Sequence, residues 1–168
     1  MLMKREACVR IMPYTQSPPL STDEVLEFLN YVTVARVCSH NKDGTIHAAP
    51  VWFFYEGGKL IFGTPIKSVK ANNIRRDSRV TVLVDSEGPP TRGVLIYGEA
   101  EISDDNMDEV ALKIFNRRME SQRALDYREG LFKLAKWVTV TVTPKSIASY
   151  DYVKDTRYRQ ATRVMSND

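Results

Sequence analysis

Two turn signals set the tightest limit on what this chain can fold into. Asp43-Gly44 and Gly57-Gly58 divide residues 33–64 into three apolar, β-branched runs at 33–40, 45–55 and 59–64. The central residues of a two-residue hairpin take positive φ, and Asp-Gly and Gly-Gly are the dipeptides that tolerate it. Three runs joined this way form an antiparallel meander, not alternating strand–helix–strand units. Similar runs at 80–85 and 93–102 and the alternating stretch Trp137–Thr143 bring the total to about six strands. Pro144 interrupts the last of them within WVTVTVTPKSIASYDY.

Helical spacing appears between and around these runs. Ser21 followed by Glu24 is a capping-box pattern, and Val25, Leu26, Phe28 and Leu29 share a face, which predicts a helix over 22–30. Met107, Val110, Ala111, Ile114 and Phe115 predict another within 104–120, with Asp104, Asp105 and Asp108 at its dipole-favoured start. A further helical stretch follows at 121–135. Pro13, Pro18 and Pro19 make residues 1–20 an irregular arm, and the polar, basic tail 152–168 reads as frayed. The sum is one mainly β domain over 1–168, a small antiparallel β-barrel with appended helices.

Several function classes lose support. No apolar run approaches the roughly 20 residues that cross a bilayer, and the start lacks an apolar stretch of signal-peptide length. A cytoplasmic protein with no membrane partner is expected. A net charge of +3 does not argue for nucleic acid. Cys8 and Cys38 are far apart and lack a C-x-x-C partner, so neither a disulfide framework nor a zinc site is expected. His40 and His47 flank the first hairpin as neighbours across two strands, but a metal would still lack ligands. There is no G-x-S-x-G, P-loop or G-x-G-x-x-G.

The segment TPIKSVKANNIRRDSRV, residues 64–80, carries five cations: Lys67, Lys70, Arg75, Arg76 and Arg79. A helix over SVKANNIRRD starts at Ser68, with Thr64 ending the strand before it. Lysine in a first turn opposes the helix dipole, and a bound anion removes the conflict. Thr64, Ser68 and Lys70, with Lys67 in the turn, then form a phosphate cradle. A solvated basic face is the other reading. Nearby, Pro50 sits inside the run HAAPVWFF, where it removes a ladder hydrogen bond. Such a strand can offer its backbone to a ligand, and the small Ala48 and Ala49 allow a flat group to approach. Trp52 and Phe53 point to opposite faces, one of them toward the core.

Three stretches in order, Asp43–Phe53, Leu60–Val80 and Gly88–Ile102, resemble the pyridoxamine 5′-phosphate oxidase-like, FMN-binding split-barrel proteins. The resemblance spans roughly residues 25–150. It implies a six-stranded antiparallel Greek-key split barrel that forms a homodimer, with FMN in a groove between the subunits. It also implies that Ala48, Ala49, Pro50, Val51 and Trp52 run along the isoalloxazine, and that Thr64, Ser68 and Lys70 hold the phosphate. Arg92 falls where the family places a polar or basic contact to the cofactor. The oxidase branch has S-R-K where this chain has Ser68-Val69-Lys70, a basic residue at the position of Ala48, and usually glutamine at that of Gly93. Its R-L-x-P ending has no match here. These departures set this chain apart from the oxidase branch, and its GPPTRG loop and KANNIRRD helix are more similar to the branch that also contains F420-dependent reductases. The expectation is an FMN-dependent oxidoreductase acting on a small organic substrate, the alternatives being an F420-dependent reductase or a non-catalytic flavin- or haem-binding protein.

Overall fold

The computed structural model describes residues 17–86 and 91–165, with side chains to residue 161. Six strands, β1 (Val34–His40), β2 (Ile46–Glu56), β3 (Lys59–Pro65), β4 (Arg79–Asp85), β5 (Arg92–Ser103) and β6 (Trp137–Asp151), close into a barrel ordered β1-β2-β3-β6-β5-β4. Every pairing is antiparallel, and β4 returns to β1 through Arg36↔Leu83 to Cys38↔Thr81. β4, β5 and β6 are successive neighbours and β3 lies beside β6, which is a Greek key. The crossover from β3 to β4 passes through α2 (Val69–Arg76). The mainly β split barrel expected from the sequence is the fold observed.

Period-two alternation aims the branched residues inward. Ala35, Val37, Phe53, Leu60, Phe62 and Val82 are fully buried inside the barrel. The tight turn at Gly57-Gly58 has both residues at positive φ, 56° and 76°. The first hairpin differs from its Asp-Gly expectation. Its loop spans residues 41–45, and only Gly44, at φ 83°, is left-handed there. Asp43 instead accepts hydrogen bonds from the Thr45 amide at 3.0 Å and the Thr45 hydroxyl at 2.6 Å, an Asx-type turn. The two histidines are also not cross-strand neighbours on one face. His47 lies opposite Ser39 and His40 opposite Ile46, so they project to opposite sides of the sheet.

The last strand runs through Pro144. Gly98 faces Pro144 while Tyr97 faces Ser146, so Lys145 is the extra residue of a bulge that absorbs the missing donor. At the chain ends the structure qualifies the sequence reading. Residues 17–20 are irregular as expected, but Leu20 joins the barrel core and the Pro18 carbonyl accepts from the Asp151 amide at 2.9 Å, so this end of the arm is tied to the barrel. The tail is not frayed over its described length: α5 spans Thr156–Met165. Asp155 caps it, accepting from the Arg157 amide at 2.9 Å, and Tyr158 packs on Tyr152 at 5.2 Å. Residues 1–16, with Cys8, and residues 87–90 of the expected loop lie outside the described residues.

Helix α1 (Thr22–Tyr31) carries the full capping box, with Ser21 and Glu24 bonded reciprocally at 3.3 and 2.7 Å, and its Phe28 and Leu29 enter the core. Helices α3 (Met107–Phe115) and α4 (Ser121–Leu134) do something else. Met107, Ala111, Ile114 and Phe115 pack with Phe54 and Ala124 into a second apolar cluster outside the barrel.

Candidate functional site

The N-terminus of α2 gathers three of the anticipated residues. Ser68 is the N-cap, its hydroxyl accepting from the Ala71 amide at 3.3 Å. Thr64, at the end of β3 and almost fully buried, lies 2.9 Å from the Ser68 hydroxyl. The Lys70 ammonium donates to the Thr64 hydroxyl at 3.3 Å. Lys70 is half-buried, and desolvation holds its pKa below the ordinary lysine value. It belongs to none of the ion pairs among the described residues. A cation that has lost water without gaining a counter-charge, beside two hydroxyls and the free amides of a helix start, is suited to an anion.

The remaining cations of the segment divide. Lys67 is exposed in the turn before α2. Arg75 bonds the Ile66 carbonyl at 2.8 Å, Arg76 the Asn73 side chain at 3.1 Å, and Arg79 pairs with Asp77 at 2.7 Å. Those three arginines tie down α2 and the start of β4.

Strand β2 explains its proline. It pairs with β3 only from Phe53 onward, so residues 46–52 have β1 on one side and no strand among the described residues on the other. The Phe53 amide bonds the Thr33 carbonyl at 3.4 Å. Antiparallel pairing alternates, so odd-numbered residues of β2 bond toward β1 and Ala48, Pro50 and Trp52 turn their backbone groups to the open side. Pro50 lacks its N–H where no ladder partner waits. Side chains alternate the other way: Ala48 and Pro50 are exposed on the outer face, Val51 and Phe53 are buried in the barrel, and Ala49 is half-buried.

A cleft of about 250 Å³ joins these parts. Thr64 and Lys70 line it with Pro50, Val51 and Trp52, and its outer wall is α3 and α4. Trp52 meets Phe115 edge-on at 5.9 Å and Tyr127 at 5.7 Å, while Phe115 and Tyr127 meet edge-on at 5.0 Å. The Arg118 guanidinium sits 4.5 Å over the Trp52 ring. Helical periodicity identified the apolar face of α3, but nothing local marked Tyr127, Leu131 or Trp137 as cleft residues. Ala48 and Ala49 lie on β2 outside this cleft. Arg92 is exposed at the start of β5 opposite Asp151, whereas the cleft adjoins the other end of β6, where Trp137 pairs with Pro65. Within one chain, Arg92 is not brought to Lys70.

The profile of the pyridoxamine 5′-phosphate oxidase family matches residues 21–142, which include β1 to β5, the start of β6 and α1 to α4. The chain belongs to that family. No curated protein matches it at a significant level. Among solved structures it is similar to the conserved hypothetical protein Rv2991 from Mycobacterium tuberculosis, with TM-score 0.68 and 24% identity over 82% of this chain and 89% of that one. It is also similar to an F420 reductase, with TM-score 0.57 and 22% identity over 72% of this chain and 93% of that one. The FAD binding protein from Mycobacterium smegmatis gives 0.56 and 22% over 80% and 98%. At these identities the likeness carries the split-barrel fold. The family context gives meaning to Gly93, where the oxidase branch usually has glutamine. A Cβ there would lie 2.5 Å from the Tyr150 ring, so Tyr150 of β6 fills the space a longer side chain would need.

Proposed function

We propose that this member of the family is an FMN-binding oxidoreductase acting on a small organic molecule. One observation carries the reading: the half-buried Lys70 ammonium, without a carboxylate partner among the described residues, held against Thr64 and Ser68. The phosphate of FMN supplies the missing negative charge, with Lys67 close by as a second ammonium. Bound FMN would provide hydride transfer, which needs no acid–base dyad from the chain. The chain anchors the phosphate, offers the open backbone edge of Ala48–Trp52 to a flat ring, and keeps water off one side with Trp52 and its aromatic neighbours.

The second reading is an F420-dependent reductase, favoured by similarity to a solved F420 reductase. Its longer acidic tail calls for more cations, yet Arg75 and Arg79 are already engaged. A carrier that binds flavin or haem without catalysis is the reading from another class.

The visible spectrum of the purified protein and a titration with FMN and F420 separate these. A two-band flavin spectrum is expected; a Soret band, or retention of F420 but not FMN, overturns the FMN reading. Lys70→Ala is expected to weaken FMN roughly ten- to a hundredfold, the worth of a charge-assisted hydrogen bond. Unchanged affinity removes the phosphate assignment.

A further inference from the structure

The cleft lining other than Thr64 and Lys70 has a chemistry of its own. Among the described lining residues Lys70 is the single cation, and there is no carboxylate, histidine or cysteine. The basic residues nearby are turned elsewhere. Lys113 pairs with Glu56 at 2.6 Å, Arg128 with Asp108, and Arg117 caps the end of α1 by donating to the Val32 carbonyl at 3.1 Å. Arg118 lies on Trp52 and donates to the Thr33 hydroxyl. What faces the space is Ile114, Phe115, Tyr127, Leu131, Trp52 and Trp137.

The geometry points to a substrate of neutral, ring-bearing, apolar character in this part of the cleft, with phosphate- and carboxylate-bearing molecules disfavoured. The inference rests on the FMN reading for what occupies Lys70. Once a phosphate neutralises Lys70, a second anion in the cleft would be desolvated against aromatic and aliphatic side chains with nothing to pair with, which is costly. A flat neutral ring instead meets ring edges and faces already set at near-perpendicular angles. The whole cleft, its Lys70 end included, is about 250 Å³, below the range of roughly 300–1,000 Å³ usual for ligand sites, so the space beyond the phosphate admits only a small ring system.

The test uses two probes of one shape and different charge. FMN-loaded protein is titrated calorimetrically with 2-naphthamide and with 2-naphthoate. The amide is expected to bind at least about tenfold tighter, since the carboxylate would be buried unpaired. Equal affinities, a preference for the carboxylate, or no binding of either overturns the inference. Tyr127→Arg puts a cation at the cleft on a side chain 41% exposed, so the barrel core is untouched. It should raise naphthoate affinity to that of the amide; an unchanged preference shows that the probes bind elsewhere and overturns the assignment. Should the protein take up no FMN, the functional reading falls by itself. The same pair titrated against ligand-free Lys70→Ala, whose cleft has no cation among its described lining residues, still reads the wall, and loss of the amide preference there overturns this inference alone.

Discussion

At the residue scale, Lys70 links burial to binding. Burial depresses its folded-state pKa below the ordinary lysine value of 10.5. The sign follows: between the depressed pKa and 10.5 the unfolded chain binds more protons, so the stability of the ligand-free protein rises with pH in that window. Anion binding needs the protonated amine and works in the opposite direction. FMN affinity should therefore fall as pH rises through the depressed pKa, earlier than for an ordinary lysine. A pH series of fluorescence titrations checks this, and Lys70→Ala should flatten the alkaline limb. A limb that persists in the variant assigns the titration to another group. Thr64, Ser68 and Lys70 were legible in the sequence because they are within seven positions of one another and a helix start dictates their geometry. Arg92 was not placed by such local rules, and one chain leaves it remote from the cradle.

At the element scale, the turn and cap rules transferred with one revision. The capping box at Ser21 and Glu24 formed as written, because it is a purely local exchange of two hydrogen bonds. Ser21→Ala should cost about 1 kcal/mol of unfolding free energy, measured by denaturant titration. Asp43 marked a hairpin correctly but by accepting hydrogen bonds, not by adopting positive φ. Pro144 interrupts β6 without ending it, since the bulge opposite Gly98 takes up the offset. That bulge is tight: a Cβ on Gly98 would stand 2.4 Å from the Thr143 carbonyl oxygen, a backbone atom that cannot swing aside. Gly98→Ala is expected to destabilise the barrel by about 1–3 kcal/mol, as overpacking does, with little change in FMN affinity. A neutral effect in the same denaturant titration would show that β5 and β6 can separate there.

At the scale of the whole molecule, the open edge of β2 and the outer face beside it are unfinished surfaces. Ile46, Ala48 and Pro50 are exposed on one side of the strand whose backbone borders the cleft, and Tyr97 is exposed on the outer face of β5. We propose that a second copy of the chain covers this face, as the split-barrel resemblance implies, and that Arg92 enters the site only across that contact. Size-exclusion with light scattering should give twice the monomer mass; a monomer that still binds FMN tightly removes the shared groove. No helix among the described residues is long and apolar enough to cross a membrane.

Sequence alone determined the strand runs, the glycine turns, the capped α1 and the cation at the start of α2. Each depends on neighbours within a few positions, where period and turn chemistry act directly. Only the tertiary structure decided that β2 parts from β3 before Phe53, leaving Pro50 on an open edge, and that α3 and α4 pack outside the barrel to roof the cleft. An apolar helical face records that something will be buried and not against what. Closing the barrel puts Phe53 inside and Trp52 outside, and the exposed apolar side of β2, β3 and β6 then takes the helices that reach it.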